Sequence, residues 1–130
     1  MAVTKSSLSA GSVIRAVLLD NPEVASRTSK IFPVVTDSAE LPYITYRRRA
    51  LEASPQKSGQ PGADTVEIEV SCFTAGYAEG VMLAEAVRGA LDYTESVHDG
   101  LRLRACHLID SEESFAGDAY VQLMVFGVKM

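Results

Sequence analysis

The ten residues TVEIEVSCFT, from Thr65 to Thr74, alternate between apolar and polar side chains. Successive side chains of a β-strand point to opposite faces, so an extended strand would carry all of its apolar residues on one face. The apolar set is Val66, Ile68, Val70 and Cys72, and the polar set is Glu67, Glu69 and Ser71. The pattern predicts a strand with one buried face, and therefore a sheet that other elements cover on one side.

The rest of the chain supplies helices and further strands for such a sheet. Residues 7–20 and 77–93 carry apolar side chains at helical spacing. The predicted strands are residues 31–35, 43–53, 101–109 and 119–128. The last strand is apolar on both faces, as expected of a central or interface-buried strand, whereas Pro33 predicts that the first strand lies at an edge or is irregular. This order predicts an α+β fold with two layers, in which two main helices pack on one face of a mostly antiparallel sheet.

Two polar segments separate the predicted strands. Residues 54–64, SPQKSGQPGAD, consist of turn-formers and polar residues, and they predict a long flexible loop between two strands. Residues 110–118, DSEESFAGD, predict an exposed hairpin tip. Its acids are Asp110, Glu112, Glu113 and Asp118. The glycine and ligand spacings of a calcium loop are missing from this tip.

The totals limit the class of protein. A chain of 130 residues with 47% hydrophobic and 22% charged residues suits one folded domain, residues 1–130. The sequence shows neither a secretory leader nor a run of about 20 apolar residues, which predicts synthesis in a cytoplasm and no membrane partner. Two widely separated cysteines, Cys72 and Cys106, favour buried free thiols over a disulfide framework.

Arg47, Arg48 and Arg49 stand side by side in the strand predicted for residues 43–53. A net charge of −5 repels phosphate, so a DNA role would depend on this local patch alone. Strand geometry splits the triplet, because Arg47 and Arg49 share one face and Arg48 lies on the other.

If this strand pairs antiparallel with residues 65–74, a register with Arg48 opposite Ile68 also places Arg47 opposite Glu69 and Arg49 opposite Glu67. A register shifted by two residues changes these partners but keeps each arginine on the same face. We therefore interpret the triplet as a salt-bridged strand face rather than a sequence-specific nucleic-acid site. Arg48 shares the more apolar face, so it must extend to the end of the sheet or meet an acid, for example on a neighbouring subunit.

Residues for catalysis or metal binding do not converge in the sequence. Cys106 and His107 are adjacent and would point to opposite faces of a strand, and Cys72 and His98 offer no second spaced pair. The glycines form no phosphate cradle. We expect no enzyme activity, no cofactor and no metal. The alternative is a small ligand-binding or enzymatic α+β domain with a pocket between helices and sheet, lined by Tyr46, Cys72 and His107.

Several local sequences resemble the phage tail-completion family, small virion proteins also described as head-to-tail joining or tail-terminator proteins. The similarity rests on Lys30-Ile31-Phe32-Pro33, on Leu41-Pro42-Tyr43-Ile44-Thr45-Tyr46, and on Val87-Arg88-Gly89-Ala90-Leu91 after a strand like that at residues 66–73. It extends over residues 13–128.

The resemblance implies a structural protein of a virion or prophage, located in the tail. Such a subunit forms a ring, commonly a hexamer, at the head-proximal end of the tail, where it ends the tube and joins it to the head connector. The implied partners are other copies of the chain, the tail tube protein and the head connector protein. Because ring contacts are heterologous, each subunit needs two complementary patches. We assign them by charge: Arg47, Arg48, Arg49 and Lys57 on one side, and Asp110, Glu112, Glu113 and Asp118 on the other.

Overall fold

The computed structural model describes residues 5–36, 39–54 and 64–130. Three α-helices follow a short 3₁₀ helix at Ser7–Ser9: α1 at Ala10–Asp20, α2 at Pro22–Ala25 and α3 at Tyr77–Leu91. The strands are β1 at Ile31–Pro33, β2 at Tyr43–Glu52, β3 at Thr65–Thr74, β4 at Ser96–His98, β5 at Leu101–Leu103, β6 at Ala105–Ala116 and β7 at Ala119–Lys129. The predicted α+β class is confirmed.

Five strands form the main sheet in the order β1-β2-β3-β7-β6. All neighbours are antiparallel except β1 and β2, which run parallel. The predicted edge position of the proline-containing strand is confirmed, and so is the central position of β7. Strands β4 and β5 form a separate two-stranded sheet, of which β4 was not predicted.

The core lies between the main sheet and the helices. The apolar residues of β3 predicted to face inward are fully buried, as are Val13 and Ile14 of α1 and Val87 and Leu91 of α3. Asn21 ends α1 and starts α2, because its side-chain oxygen accepts from the amides of Glu23 and Val24. Helices α1 and α3 also contact each other, so both lie on the same face of the sheet. The opposite face of the sheet carries the salt-bridged side chains of β2 and β3.

The prediction of an acidic loop at residues 110–118 is wrong. Strand β6 continues to Ala116 and pairs with β7 up to the turn, with one β-bulge at Ile109, so Asp110, Glu112 and Glu113 lie on a strand. Only Gly117 and Asp118 form the turn, with φ values of +57° and +66°. Two central residues with positive φ match the twist of a tight hairpin, which lets the strands pair up to the turn. The predicted strand at residues 101–109 is instead divided at Arg104 between β5 and β6.

Candidate assembly surfaces

The three arginines occupy a free strand edge. Strand β1 pairs with β2 only from Ile44 to Tyr46, so within the described ranges no strand flanks β2 on that side from Arg47 onward. We call Arg47, Arg48 and Arg49 the arginine edge. Its register agrees with the sequence prediction for Arg47 and Arg48, which face Glu69 and Ile68, but a β-bulge at Arg49 places Ala50 opposite Glu67.

Two of these arginines are neutralised within the subunit. The Nε and Nη2 atoms of Arg47 donate to the two carboxylate oxygens of Glu69 at 3.3 and 3.1 Å. Arg49 Nε lies 3.3 Å from Glu67 Oε1 despite the bulge. Both pairs lie on the face of the sheet away from the helices. Because each of these guanidinium groups already pairs with a carboxylate, both are less available to bind a nucleic-acid phosphate.

Arg48 differs from its neighbours because it projects toward the helix layer. Its Nη1 donates to the main-chain oxygen of Leu8 at 2.6 Å, and no carboxylate of the described residues lies within ion-pair distance. The hydrogen bond fixes the direction of the guanidinium but leaves its positive charge uncompensated. Arg48 is therefore an exposed cation that is already held in one orientation.

The opposite edge of the sheet is acidic. We call Asp110, Glu112 and Glu113 of β6 the acidic edge, and Asp118 follows them in the turn. Residues 110–118 contain four acids and no lysine or arginine. Asp110 and Glu112 share the sheet face that points away from the helices, whereas Glu113 pairs with Gln122 on the helix side.

Glu113 is held in place by uncharged groups. Gln122 Nε2 donates to its carboxylate at 2.8 Å, and the Tyr77 hydroxyl lies 2.9 Å from the same oxygen. The Gln122 hydrogen bond, with a further contribution from Tyr77, lowers the pKa of Glu113 and keeps it ionised. No cation in the described part of the chain forms an ion pair with it. Glu113 is thus an oriented anion, as Arg48 is an oriented cation.

A shallow groove with a mixed polar and apolar lining lies beside Arg48. We define the edge groove by Leu8, Gly11, Pro33, Val34 and Tyr46, and its volume is about 420 Å³. Leu8 and Val34 are each 63% exposed. A Cβ on Gly11 would lie 2.9 Å from the Tyr46 ring, so glycine lets the ring lie close to α1.

Aromatic side chains cluster at the turn end of β6. Phe115 packs edge-on against Tyr120 with ring centroids 4.9 Å apart, and Tyr120 contacts Tyr77 in the same way at 6.0 Å. Phe115 nevertheless stays 59% exposed. The sequence prediction of assembly residues from charge alone missed both this phenylalanine and the edge groove.

The structure does not form the alternative pocket of Tyr46, Cys72 and His107. These residues lie on β2, β3 and β6, and His107 is exposed on the face of the sheet away from the buried Cys72. Burial raises the pKa of Cys72 to about 12. Burial, with a smaller contribution from Asp92, raises the pKa of Cys106 to about 12. Neither thiol is thereby set up as a nucleophile, since the thiolate is the reactive form.

Lys57 and most of the predicted loop at residues 54–64 lie outside the described residues. Within the described ranges, no three His, Cys, Asp or Glu side chains are grouped closely enough to hold a metal ion. In the same parts of the chain, no helix combines the length and apolar character needed to cross a membrane.

Comparison with known proteins places this chain in a family. The family described as "Tail completion protein gp17" matches residues 12–129 of the 130. The chain belongs to the tail completion protein family. It is therefore a structural component of a phage-type virion tail, as the sequence resemblance implied.

A solved structure has the same fold as this tail completion protein. It is a chain of the "Virion of native gene transfer agent (GTA) particle", with a TM-score of 0.79 and 16% sequence identity. The match covers 96% of the present chain and 98% of the other. At that identity the likeness concerns the fold. No curated protein matches the sequence.

Proposed function

We propose that the protein forms a homo-oligomeric ring, a hexamer, at the head-proximal end of the tail, where it ends the tube and joins it to the head connector. It does so by presenting surfaces, without catalysing a reaction. The observation that supports this best is the placement of opposite charge on opposite edges of one sheet. The arginine edge belongs to β2 and the acidic edge to β6, separated by β3 and β7.

Opposite edges of this kind suit a closed ring. A ring needs heterologous contacts, in which one patch of a subunit meets a different patch of the next. Arg48 and Glu113 are the best-suited pair, because neither has an ion-pair partner among the described residues and neutral neighbours already orient both. Both also point to the helix side of the sheet. A fixed orientation reduces the side-chain entropy lost when the contact forms.

Electron microscopy of the purified protein mixed with tail tubes tests the location. We expect a ring at one end of each tube, and native mass spectrometry of the assembly should give a multiple of the 14.0 kDa subunit. Binding along the tube wall, or no binding to tubes, would contradict the proposed function.

Charge reversal tests the interface. Arg48→Glu and Glu113→Arg should each prevent ring formation alone, because every contact in the ring then brings like charges together. A mixture of the two variants should form rings in which they alternate, since both kinds of contact are then attractive. Arg102→Glu, which reverses an exposed charge on β5, is the matched control and should assemble normally. No recovery in the mixture would count against this pairing.

A further inference from the structure

The edge groove and the aromatic cluster of β6 are both unexplained by the fold of a single subunit. Leu8, Val34 and Phe115 are large apolar residues that stay more than half exposed. The groove lies at the β1 and β2 edge and Phe115 lies on β6, four strand spacings from β1. At about 4.8 Å per spacing they are roughly 19 Å apart, so a subunit cannot place Phe115 in its own groove.

We propose that Phe115 of each subunit docks in the edge groove of the next copy of the chain. This inference rests on the proposed ring. The neighbour's Glu113 then faces Arg48. The occupant is a second copy because the groove and the hairpin carry complementary charge. Of the three cations that border the groove, Lys5 and Arg47 already pair with Asp99 and Glu69, so Arg48 supplies the positive charge. Residues 110–118 carry four acids and no lysine or arginine.

The spacing of the residues agrees with this arrangement. Glu113 and Phe115 are two positions apart on β6 and point to the helix side, as Arg48 and Tyr46 do on β2. If the neighbour's β6 runs antiparallel to β2 with Glu113 opposite Arg48, Phe115 comes to the level of Tyr46, where Pro33 of β1 already occupies the edge of β2. Phe115 then meets Pro33 and Val34, which line the edge groove, rather than the backbone of β2. The same register brings Glu112 beside Arg49. The two strands already run in opposite directions within one sheet, so a copy that continues the sheet presents β6 in this orientation.

The backbone at Val34 gives independent support for a binding role of the groove. Val34 adopts a φ of +64°, a conformation that is strained for a β-branched residue. Its side chain lines the groove, and the residue stays 63% exposed within the subunit. A strained residue with an exposed apolar side chain is expected where another molecule binds.

Truncation variants test the docking. Phe115→Ala should raise the subunit concentration needed for half-maximal ring formation by about tenfold or more, as for an aromatic anchor at the centre of an interface. Val34→Gly removes the side chain but relieves the positive φ, so it should weaken assembly without lowering the thermal stability of the subunit. Val97→Ala, which truncates another exposed valine, should leave assembly unchanged. Normal assembly of both Phe115→Ala and Val34→Gly would overturn the docking.

Cross-linking separates the docking from the ring itself. A Ser9→Cys subunit mixed with an Ala116→Cys subunit should join efficiently through a short bis-maleimide in assembled rings. Ser9 lines the groove and its side chain caps no helix, whereas Ala116 adjoins Phe115. Val97→Cys mixed with Ala116→Cys is the matched control and should not cross-link. Rings without the Ser9 to Ala116 cross-link would refute the docking alone, and the absence of rings would refute the proposed function as well.

Discussion

Arg47 and Glu69 lie directly opposite each other on β2 and β3, and two guanidinium nitrogens meet the two carboxylate oxygens. Arg49 reaches Glu67 on the same face of the sheet. The basic run of this acidic chain is thus largely neutralised by its neighbouring strand. The two ion pairs are partly exposed, so their contribution to stability is modest.

The double variant Arg47→Ala/Arg49→Ala should lower the free energy of unfolding by less than about 2 kcal/mol, since cross-strand pairs contribute roughly 0.2 to 1 kcal/mol each. Urea denaturation at low salt measures the change, and 1 M salt should reduce it. Arg102→Ala, without an ion pair in the described residues, is the control. Tight DNA binding by the wild type that the double variant loses would show that the arginines serve a phosphate instead.

Two glycines of α3 should respond oppositely to the same substitution. A Cβ on Gly80 would lie 2.7 Å from the Oγ1 of Thr74, which is fully buried, whereas Gly89 has open space around it. Gly89→Ala should stabilise the protein by roughly 0.5 to 1 kcal/mol through helix propensity. Gly80→Ala should destabilise it, because overpacking typically costs about 1 to 3 kcal/mol. Thermal unfolding of both variants measures the difference, and equal shifts would contradict the packing at Thr74.

Asp64 should make stability depend on acid pH. The Ser7 hydroxyl donates to its carboxylate, and with the Ser54 amide it lowers the pKa of Asp64 below the ordinary 3.8. A lowered folded-state pKa stabilises the protein above pH 3.8, and this contribution is lost as the pH falls through the folded-state value. Unfolding of Asp64→Asn should therefore be less pH-dependent in that range.

A double-mutant cycle tests whether the effect of Asp64 on stability depends on its hydrogen bond with Ser7. Ser7→Ala should reproduce part of the loss caused by Asp64→Asn, and the double variant should lose less than the sum of the two. Strict additivity would show that the hydroxyl and the carboxylate act independently.

The two thiols should be unreactive in the folded protein. Burial, which raises the pKa of both Cys72 and Cys106 to about 12, disfavours the thiolate at pH 8. A thiol reagent should modify neither cysteine in the native state and both after denaturation. Rapid stoichiometric labelling of the native protein would contradict this burial.

Alternation and charge were enough to predict the centre of the fold. The alternation in β3 determines which of its faces is buried. Arg47 can pair with Glu69 only if both side chains lie on the same face of the sheet, and this determines which face of β2 points away from the core. The parallel pairing of β1 was not predictable, because the nine residues at 34–42 are fewer than a parallel connection usually needs. The outer half of β6 was missed because its polar residues at a sheet edge lack the alternation that burial imposes.

Some of the candidate interface residues could be predicted from the sequence, and others could not. Charge alone pointed to eight residues, Arg48 and Glu113 among them, and the structure shows these two without an ion-pair partner within the described residues. The edge groove combines Gly11 of α1, Val34 after β1 and Tyr46 of β2, which are distant in sequence. No local pattern joins these residues, and the positive φ of Val34 has no signal in the sequence.

The acidity of β6 also determines which pairings the protein avoids. An unpaired outer strand invites a second, identical strand to add to it, which leads to symmetric dimers or to aggregates. Two copies meeting through β6 would bring Asp110, Glu112 and Glu113 against the same carboxylates, and repulsion opposes that contact. The acidic edge thereby opposes pairing of β6 with a second β6 and leaves this strand available to a surface of different charge.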